Sequence, residues 1–492
     1  MSPIRFVVSP LAGALALALS VPAFADPAAD AATAAAKDLD AVEVHAQRGP
    51  EASSPKFTQP LLDTPQSVTV VPAELMQAQG VTTLRDALRN VPGISMQAGE
   101  GGIPAGDNLS LRGFSARTDL FVDGVRDFGG YSRDPFNLEQ IEVVKGPAST
   151  HSGRGSTGGS INLASKVARQ GDFSNGSVSV GDNSQIRATA DINHAIGENS
   201  AFRINLLGHS DEVNGRDAVE NKRWGVAPSL SFGLGTDTVT SISLFHLEQD
   251  NVPDYGLPWV PATNNVLVQS RDRTAPVDRS NFYGLLDRDY EKTETDMATV
   301  SVQHAFNDAL TLRNITRYGR STRDSIVTAP RFVSDNTTSI NRTAKTRDSV
   351  DRILANVTDL TARFTTGGIE HTLLTGLELT REESSNRART ATNGTPADLF
   401  NPDFNAPYTG TITVGATTTV DADSAAGYVF DTLVLGPQWE LSGGLRWDRF
   451  VVDTGTLSRT DTMLSGRAAA VFKPRENGSI YLGYGTSFNP SA

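Results

Sequence analysis

Residues 439–447 read Trp439-Glu-Leu-Ser-Gly-Gly-Leu-Arg-Trp447. The odd positions are Trp, Leu, Gly, Leu and Trp, and the even ones Glu, Ser, Gly and Arg. A period of two makes a strand with one apolar and one polar face. At about 3.3 Å per residue the tryptophans stand roughly 26 Å apart along the strand. A tilt of about 40° projects that to roughly 20 Å, near the height of the lipid band between the aromatic girdles of a membrane β-barrel. A water-soluble β-sandwich also alternates, but it has no need of Trp at both ends of an outward face. The stretch predicts a membrane-crossing strand.

The same period recurs upstream. Phe202, Ile204 and Leu206 oppose Arg203 and Asn205, and Ala298, Val300 and Val302 oppose Thr299, Ser301 and Gln303. About thirteen such strands fit between Phe173 and Phe488. Short links are expected near residues 197–198, 233–237, 307–308, 365–368, 436–437 and 475–478. Long ones are expected at Asn251–Lys292, Ser321–Ser349 and Glu382–Asp423. Tight turns at one end and long loops at the other suit an outer-membrane barrel, and no fixed-period repeat points to a propeller or solenoid.

The bulk composition agrees. The chain has 492 residues, 44 glycines, no cysteine and a net charge of -13, which argues against nucleic acid as a partner and excludes disulfides and thiolate metal sites. Arg5, the apolar run Leu11–Leu19 and Ala23-Phe-Ala25 form a signal peptide over residues 1–25, cleaved before Asp26. Residues 26–55 read as a flexible tail, Ala-rich and acidic at its start. Residues 56–166 form a compact α+β unit. Helices are expected at Pro72–Gln79, followed by Gly80, and at Thr83–Asn90, before Pro92-Gly93. Short strands such as Leu120–Val122 and Ile141–Val144 run into glycine turns. Residues 167–492 form the barrel.

Gly153, Gly155 and Gly158 spell G-x-G-x-x-G, the pattern of a dinucleotide-binding turn. That reading needs a helix directly after the glycines, whereas Ser160–Ala164 alternates like a strand. A tight glycine turn between two short strands is expected instead.

Several motifs in order carry a family resemblance. Leu111-Arg-Gly-Phe114, Val122-Asp-Gly124, Ile141-Glu-Val-Val-Lys-Gly-Pro147 and Gly153-Arg-Gly-Ser-Thr-Gly-Gly159 resemble the plug signature of TonB-dependent ferric-siderophore receptors. The resemblance implies an antiparallel outer-membrane β-barrel with an N-terminal α+β plug, a bacterial uptake receptor and not an enzyme. It implies a monomer in outer-membrane lipid, without nucleic acid or cofactor. Iron arrives inside a ferric siderophore, whose hard oxygens already saturate it, so no protein metal ligand is expected.

Leu39-Asp-Ala-Val-Glu-Val-His-Ala46 resembles the TonB box. Leu39, Asp40, Ala41, Val42, Glu43 and Val44 would add a strand to an exposed sheet edge of TonB. The loop Arg126–Asp134 resembles the apical plug loop of catecholate-type receptors and offers Arg126, Tyr131 and Arg133 as ligand contacts. Pairing of Arg133 with Asp127 or Asp134 is the alternative reading. Tyr255 and Trp259 add aromatic contacts from the longest loop. A hydroxamate siderophore, another large chelate, or a passive porin-like channel stay open. The family closes about twenty-two strands, so the chain reads as C-terminally incomplete. The resemblance implies Arg112 and Lys145 as plug–barrel lock residues, with glutamate partners expected past the end of this chain.

Overall fold

The computed structural model describes residues 51–97, 106–127 and 129–490. In chain order, the N-terminal unit holds β1 (Ser67–Pro72), α1 (Ala73–Ala78), α2 (Leu84–Leu88), β2 (Ile94–Met96), β3 (Leu109–Leu111) and β4 (Phe114–Ser115). It continues with β5 (Leu120–Val122), β6 (Val125–Arg126), β7 (Leu138–Lys145), α3 (Ser149–Ser152) and β8 (Gly159–Ser165). Its main sheet has the order β1-β7-β8-β5-β6, and β2-β3-β4 form a second small sheet. Short apolar strands such as β5 are buried on both faces. Leu109, Leu120, Ile141 and Ile161 join Leu84 and Leu88 of α2 in one core. Thr83 caps α2 by accepting a hydrogen bond from the Asp86 backbone N–H at 3.1 Å.

The expected glycine turn contains a helical turn, α3, that the sequence reading missed. Four residues are too few to show a helical period. Glycine is required around it. Gly155 has φ +77, and a Cβ there would stand 2.2 Å from an Asp119 carboxylate oxygen. A Cβ on Gly158 would stand 1.9 Å from the Leu111 carbonyl oxygen. Close backbone approach, and no nucleotide turn, accounts for these glycines.

The remaining strands are β9 (Phe173–Gly181), β10 (Gln185–Gly197), β11 (Ser200–Glu212), β12 (Glu220–Phe232), β13 (Thr238–Val252), β14 (Trp259–Val260), β15 (Arg273–Thr274) and β16 (Tyr290–Asn307). They run on through β17 (Leu310–Phe332), β18 (Ser339–Thr366), β19 (Ile369–Ala391), β20 (Ala397–Asp398), β21 (Ile412–Gly436), β22 (Trp439–Asp453), β23 (Ser458–Arg475) and β24 (Gly478–Gly485). Thirteen of them pair in chain order from β9 to β24; β20 pairs with β18 outside that path, and β14–β15 is a separate hairpin. Among the described residues β9 pairs only with β10, and β24 only with β23.

On β22 the alternation falls as expected. Trp439, Leu441, Leu445 and Trp447 are exposed, and Glu440, Arg446 and Asp448 are buried toward the interior. All six expected short links join consecutive strands. Two expected long loops are largely strand: β17 and β18 leave only residues 333–338 between them, and β19 and β21 leave 392–411. β18 has 28 residues, nearly three times the roughly ten that a tilted strand needs to cross a lipid band of about 25 Å. Past the lipid the outward face need not be apolar. The ladder continues while the hydrophobic alternation stops, so Arg-, Thr- and Asp-rich strand reads as loop.

Candidate functional site

The plug's apical loop leaves the β5–β6 turn, where Asp123 (φ 53) and Gly124 (φ 84) both take left-handed backbone. Arg126 then turns inward. Its guanidinium donates to the carbonyls of Thr118, Ser152 (3.1 Å) and Arg154 (2.7 Å) and lies 4.8 Å from the Phe121 ring centre. Burial, and then the neighbouring Arg154, lower its pKa to about 10. Arg133 donates to Asp127 at 2.8 Å and to Asp107 at 3.1 Å, and covers the Tyr131 ring at 4.3 Å. Burial opposes its charge, but Asp127, Tyr131 and Asp107 outweigh that and raise its pKa. The Tyr131 hydroxyl donates to Asp127 at 2.7 Å; burial and Asp127 push its pKa well above the usual range. Asp134 ties the loop to the wall through Arg187 (2.7 Å) and Arg223 (2.7 Å).

Arg126, Tyr131 and Arg133 are therefore all buried, with their polar groups spent on shaping the loop. Of the two carboxylates proposed as alternatives for Arg133, Asp127 is its partner and Asp134 serves the wall.

A second set gathers between the plug and the wall, with Arg323 itself only 4% exposed. Arg117 is exposed at the plug surface, within electrostatic range of Arg347 and Arg323 on the wall. Partial desolvation of its guanidinium against the wall, and then Arg347 and Arg323, lower its pKa, while Asp351 offsets them in part. Tyr255, half-buried in the loop after β13, lies in the field of Arg323, Glu291 and Arg347. Arg323 donates to the Gly130 carbonyl at 3.2 Å and pairs with Glu291. Trp259 is 57% exposed on β14. Arg154, inside the glycine motif, stacks 4.3 Å from the Phe450 ring centre and meets Glu382 at 2.5 Å.

Below this lies a buried charge network between plug and wall. Lys56 stands 3.8 Å from Glu378, which accepts a hydrogen bond from Arg446 at 3.0 Å; Arg446 also meets Asp448 at 2.9 Å. His151 of α3 is stacked between Phe57 and Phe430, with ring centres 5.5 and 4.8 Å away. Burial, and then Arg467, Lys56 and Arg446, push its pKa well below the usual imidazole value. Among the described residues Arg112 and Lys145, whose lock partners are expected past the end of this chain, form no ion pair with the wall. Other basic plug residues do.

Residues 60–160 match the family model described as TonB-dependent Receptor Plug Domain, and residues 223–492 match TonB dependent receptor-like, beta-barrel.

The chain belongs to the TonB-dependent receptor family.

It is 40% identical to the probable TonB-dependent receptor BfrD of Bordetella pertussis, over 98% of this chain and 69% of that one. It is 36% identical to the catecholate siderophore receptor Fiu of Escherichia coli K12, over 89% of this chain. It spans 63% of the length of that protein. The crystal structure of the ferric-catecholate import receptor Fiu in its open form superimposes with a TM-score of 0.82, at 34% identity, over 89% of this chain and 72% of that one.

The expected signal peptide, residues 1–25, and the expected TonB-box segment Leu39–Ala46 lie outside the described residues. One group of metal-ligating side chains, His246, Glu294 and Asp296, does come together on β13 and β16. Arg320 stands 3.9 Å from both carboxylates and already supplies a counter-charge.

Lys56, Arg117, Arg154, Arg323 and Arg347 escaped the sequence reading. Arg154 was read only as part of a turn. Arg323 and Arg347 fell inside the expected long loop. The usable signal was parity, since Arg323 shares the inward face of β17 with Arg317 and Ser321.

Proposed function

We propose that this receptor takes up a ferric catecholate siderophore at the bacterial outer membrane, as a carrier and not an enzyme. The observation that supports this best is the approach of Arg347 and Arg323 of the wall to Arg117 of the plug, close enough to lower the Arg117 pKa. A ferric tris-catecholate is triply negative and aromatic, whereas a tris-hydroxamate complex is neutral. Clustered guanidinium groups favour the first by charge and by stacking on its rings. The likeness to Fiu supports the same ligand class.

In this reading Arg117, Arg323 and Arg347 hold the charge, and Tyr255 and Trp259 supply aromatic faces. Arg126, Tyr131 and Arg133 act beneath them by fixing the apical loop. TonB takes hold of Leu39–Val44 in the tail 26–55 and pulls on the plug (56–166), which sits as a monomer's stopper inside the barrel (167–492). Iron needs no ligand from the protein.

The test is equilibrium binding of ferric 2,3-dihydroxybenzoate against a ferric trihydroxamate in the intact receptor. Binding of the catecholate, weakened about tenfold by Arg117→Ala, is expected. Equal or stronger binding of the trihydroxamate would move the receptor to the hydroxamate class.

A further inference from the structure

Where the wall passes the apical loop it is densely charged, and nearly every carboxylate there is matched. Glu291 pairs with Arg323, Glu382 with Arg154 at 2.5 Å, Asp324 with Arg389 at 2.5 Å, and Asp348 with Arg387. Asp351 is the exception. Among the described residues it joins no ion pair, and its one side-chain partner is the Ser384 hydroxyl, which donates to Asp351 Oδ1 at 2.6 Å. In register, Asp351 lies opposite the inward-facing Ser321 of β17 on one side and Ser384 of β19 on the other.

The surroundings put this carboxylate at the candidate ligand site. Ser321 touches the loop tip so closely that a Cβ on Gly129 would stand 2.9 Å from its side chain. Asp351, Asp127 and Gly129 border one space of about 20 Å³, room for a single water-sized group. Arg126 and Arg317 border it too, but they are engaged by plug carbonyls and by Asp123. Nearby on the plug stands Arg117, close enough to feel the charge of Asp351 without pairing with it. Among the described residues its guanidinium has no hydrogen-bond or ion-pair partner. The plug thus offers an unmatched cation and the wall an unmatched anion. A site built only to attract a tris-catecholate gains nothing from Asp351, which repels it. Such a carboxylate selects: it favours a ligand that brings its own cation and disfavours the same ligand without one.

We propose that Arg117 and Asp351 bracket an amphoteric ligand, a ferric catecholate whose scaffold carries a primary ammonium. The assignment rests on the uptake reading above and narrows its ligand class to catechols on a basic amino-acid scaffold. The catecholate oxygens accept from Arg117, and the ammonium donates to Asp351 Oδ2, which Ser384 leaves free. A compact ammonium matches the small space beside Asp351 better than a planar guanidinium does.

The test is equilibrium binding to the intact receptor of two ferric complexes that differ by one charge on each scaffold. One is formed by 2,3-dihydroxybenzoyl-lysine, with a free ε-amine, and the other by its Nε-acetyl derivative. Wild type should bind the first about tenfold more tightly. Asp351→Asn keeps an acceptor for Ser384 but removes the charge, and should bring the two affinities to within about twofold. Ser384→Ala leaves the carboxylate charged but loose, and should reduce the preference without abolishing it. Equal binding of the two complexes by wild type, or a preference that survives Asp351→Asn, would overturn the assignment and leave uptake standing. Binding of neither complex by wild type would overturn the uptake reading, and this assignment with it.

Discussion

The plug meets opposite stretches of the wall in two different ways. Against β19, β21 and β22 it is held by interlocked buried charges and rings: Lys56, Arg154 and His151 meet Glu378, Glu382, Phe430 and Arg446. Against β13, β16 and β17 it borders a 470 Å³ cavity crossed by the Arg317–Asp123 pair, and beside it Arg323, Gln249 and Phe245 touch the apical loop and the residues that follow it. Each charge on the first side relies on several others, so removing one strands the rest in a medium that solvates them poorly. On the second side water can reach Asp123, whose side chain is 23% exposed, once Arg317 lets go. One contact behaves as an anchor and the other as a latch.

The largest way to break this contrast is Arg446→Ala. It leaves Glu378 and Asp448 without their shared partner and should cost about 3–5 kcal/mol of plug stability. Urea titration of the intact receptor, read by proteolysis of the plug, measures it; a loss no greater than that of Arg317→Ala would erase the distinction.

Acidification should load the anchor side next. In the unfolded chain His151 takes up a proton as pH falls through its ordinary value of 6.5, and in the fold it resists doing so. The unfolded state then binds more protons, so stability falls with pH, by up to about 1.4 kcal/mol per unit. The same titration at pH 7 and at about pH 5.5 should show that loss, with His151→Gln flattening it. An unchanged slope in the variant would show that His151 ionises in the folded plug.

Arg317→Ala should cost less, about 1–1.5 kcal/mol, because a hydrated Asp123 keeps its two Ser165 hydrogen bonds. Smallest of all is Ser301→Ala. It changes the lining of a cavity without leaving any partner unpaired, and midpoints should agree with wild type to within about 0.5 kcal/mol.

The two faces also differ in how well the sequence announced them. Trp439–Trp447 displayed its strand, its outward face and its inward Glu440 and Arg446, because a lipid-facing strand must alternate sharply. The plug core was legible for a related reason: Leu120–Val122 and Ile141–Val144 are apolar runs closed by glycine turns. The proposed ligand site was not. Arg323 and Arg347 lie on strands that rise beyond the lipid, where both faces are polar, so that strand parity survives but apolar alternation does not. Arg126 and Arg133 have the right chemistry in the right loop. Their burial depended on Asp107 and on the Ser152 and Arg154 carbonyls, which lie 26 to 28 residues away in the chain. A loop motif cannot disclose partners at that distance. Lys56 was read as the start of the plug, and its contact with Glu378 spans most of the chain.

The measurement that bears most directly on the anchor-and-latch account is site-resolved amide hydrogen exchange on the intact receptor. The amides of Asp123, Gly124 and Ser165, on the latch side, should exchange by local opening well before those of His151, Ser152 and Gly153 on the anchor side. Arg317→Ala should speed the first group and leave the second unchanged. Equal protection of the two groups in wild type, or faster exchange at His151–Gly153, would contradict the account.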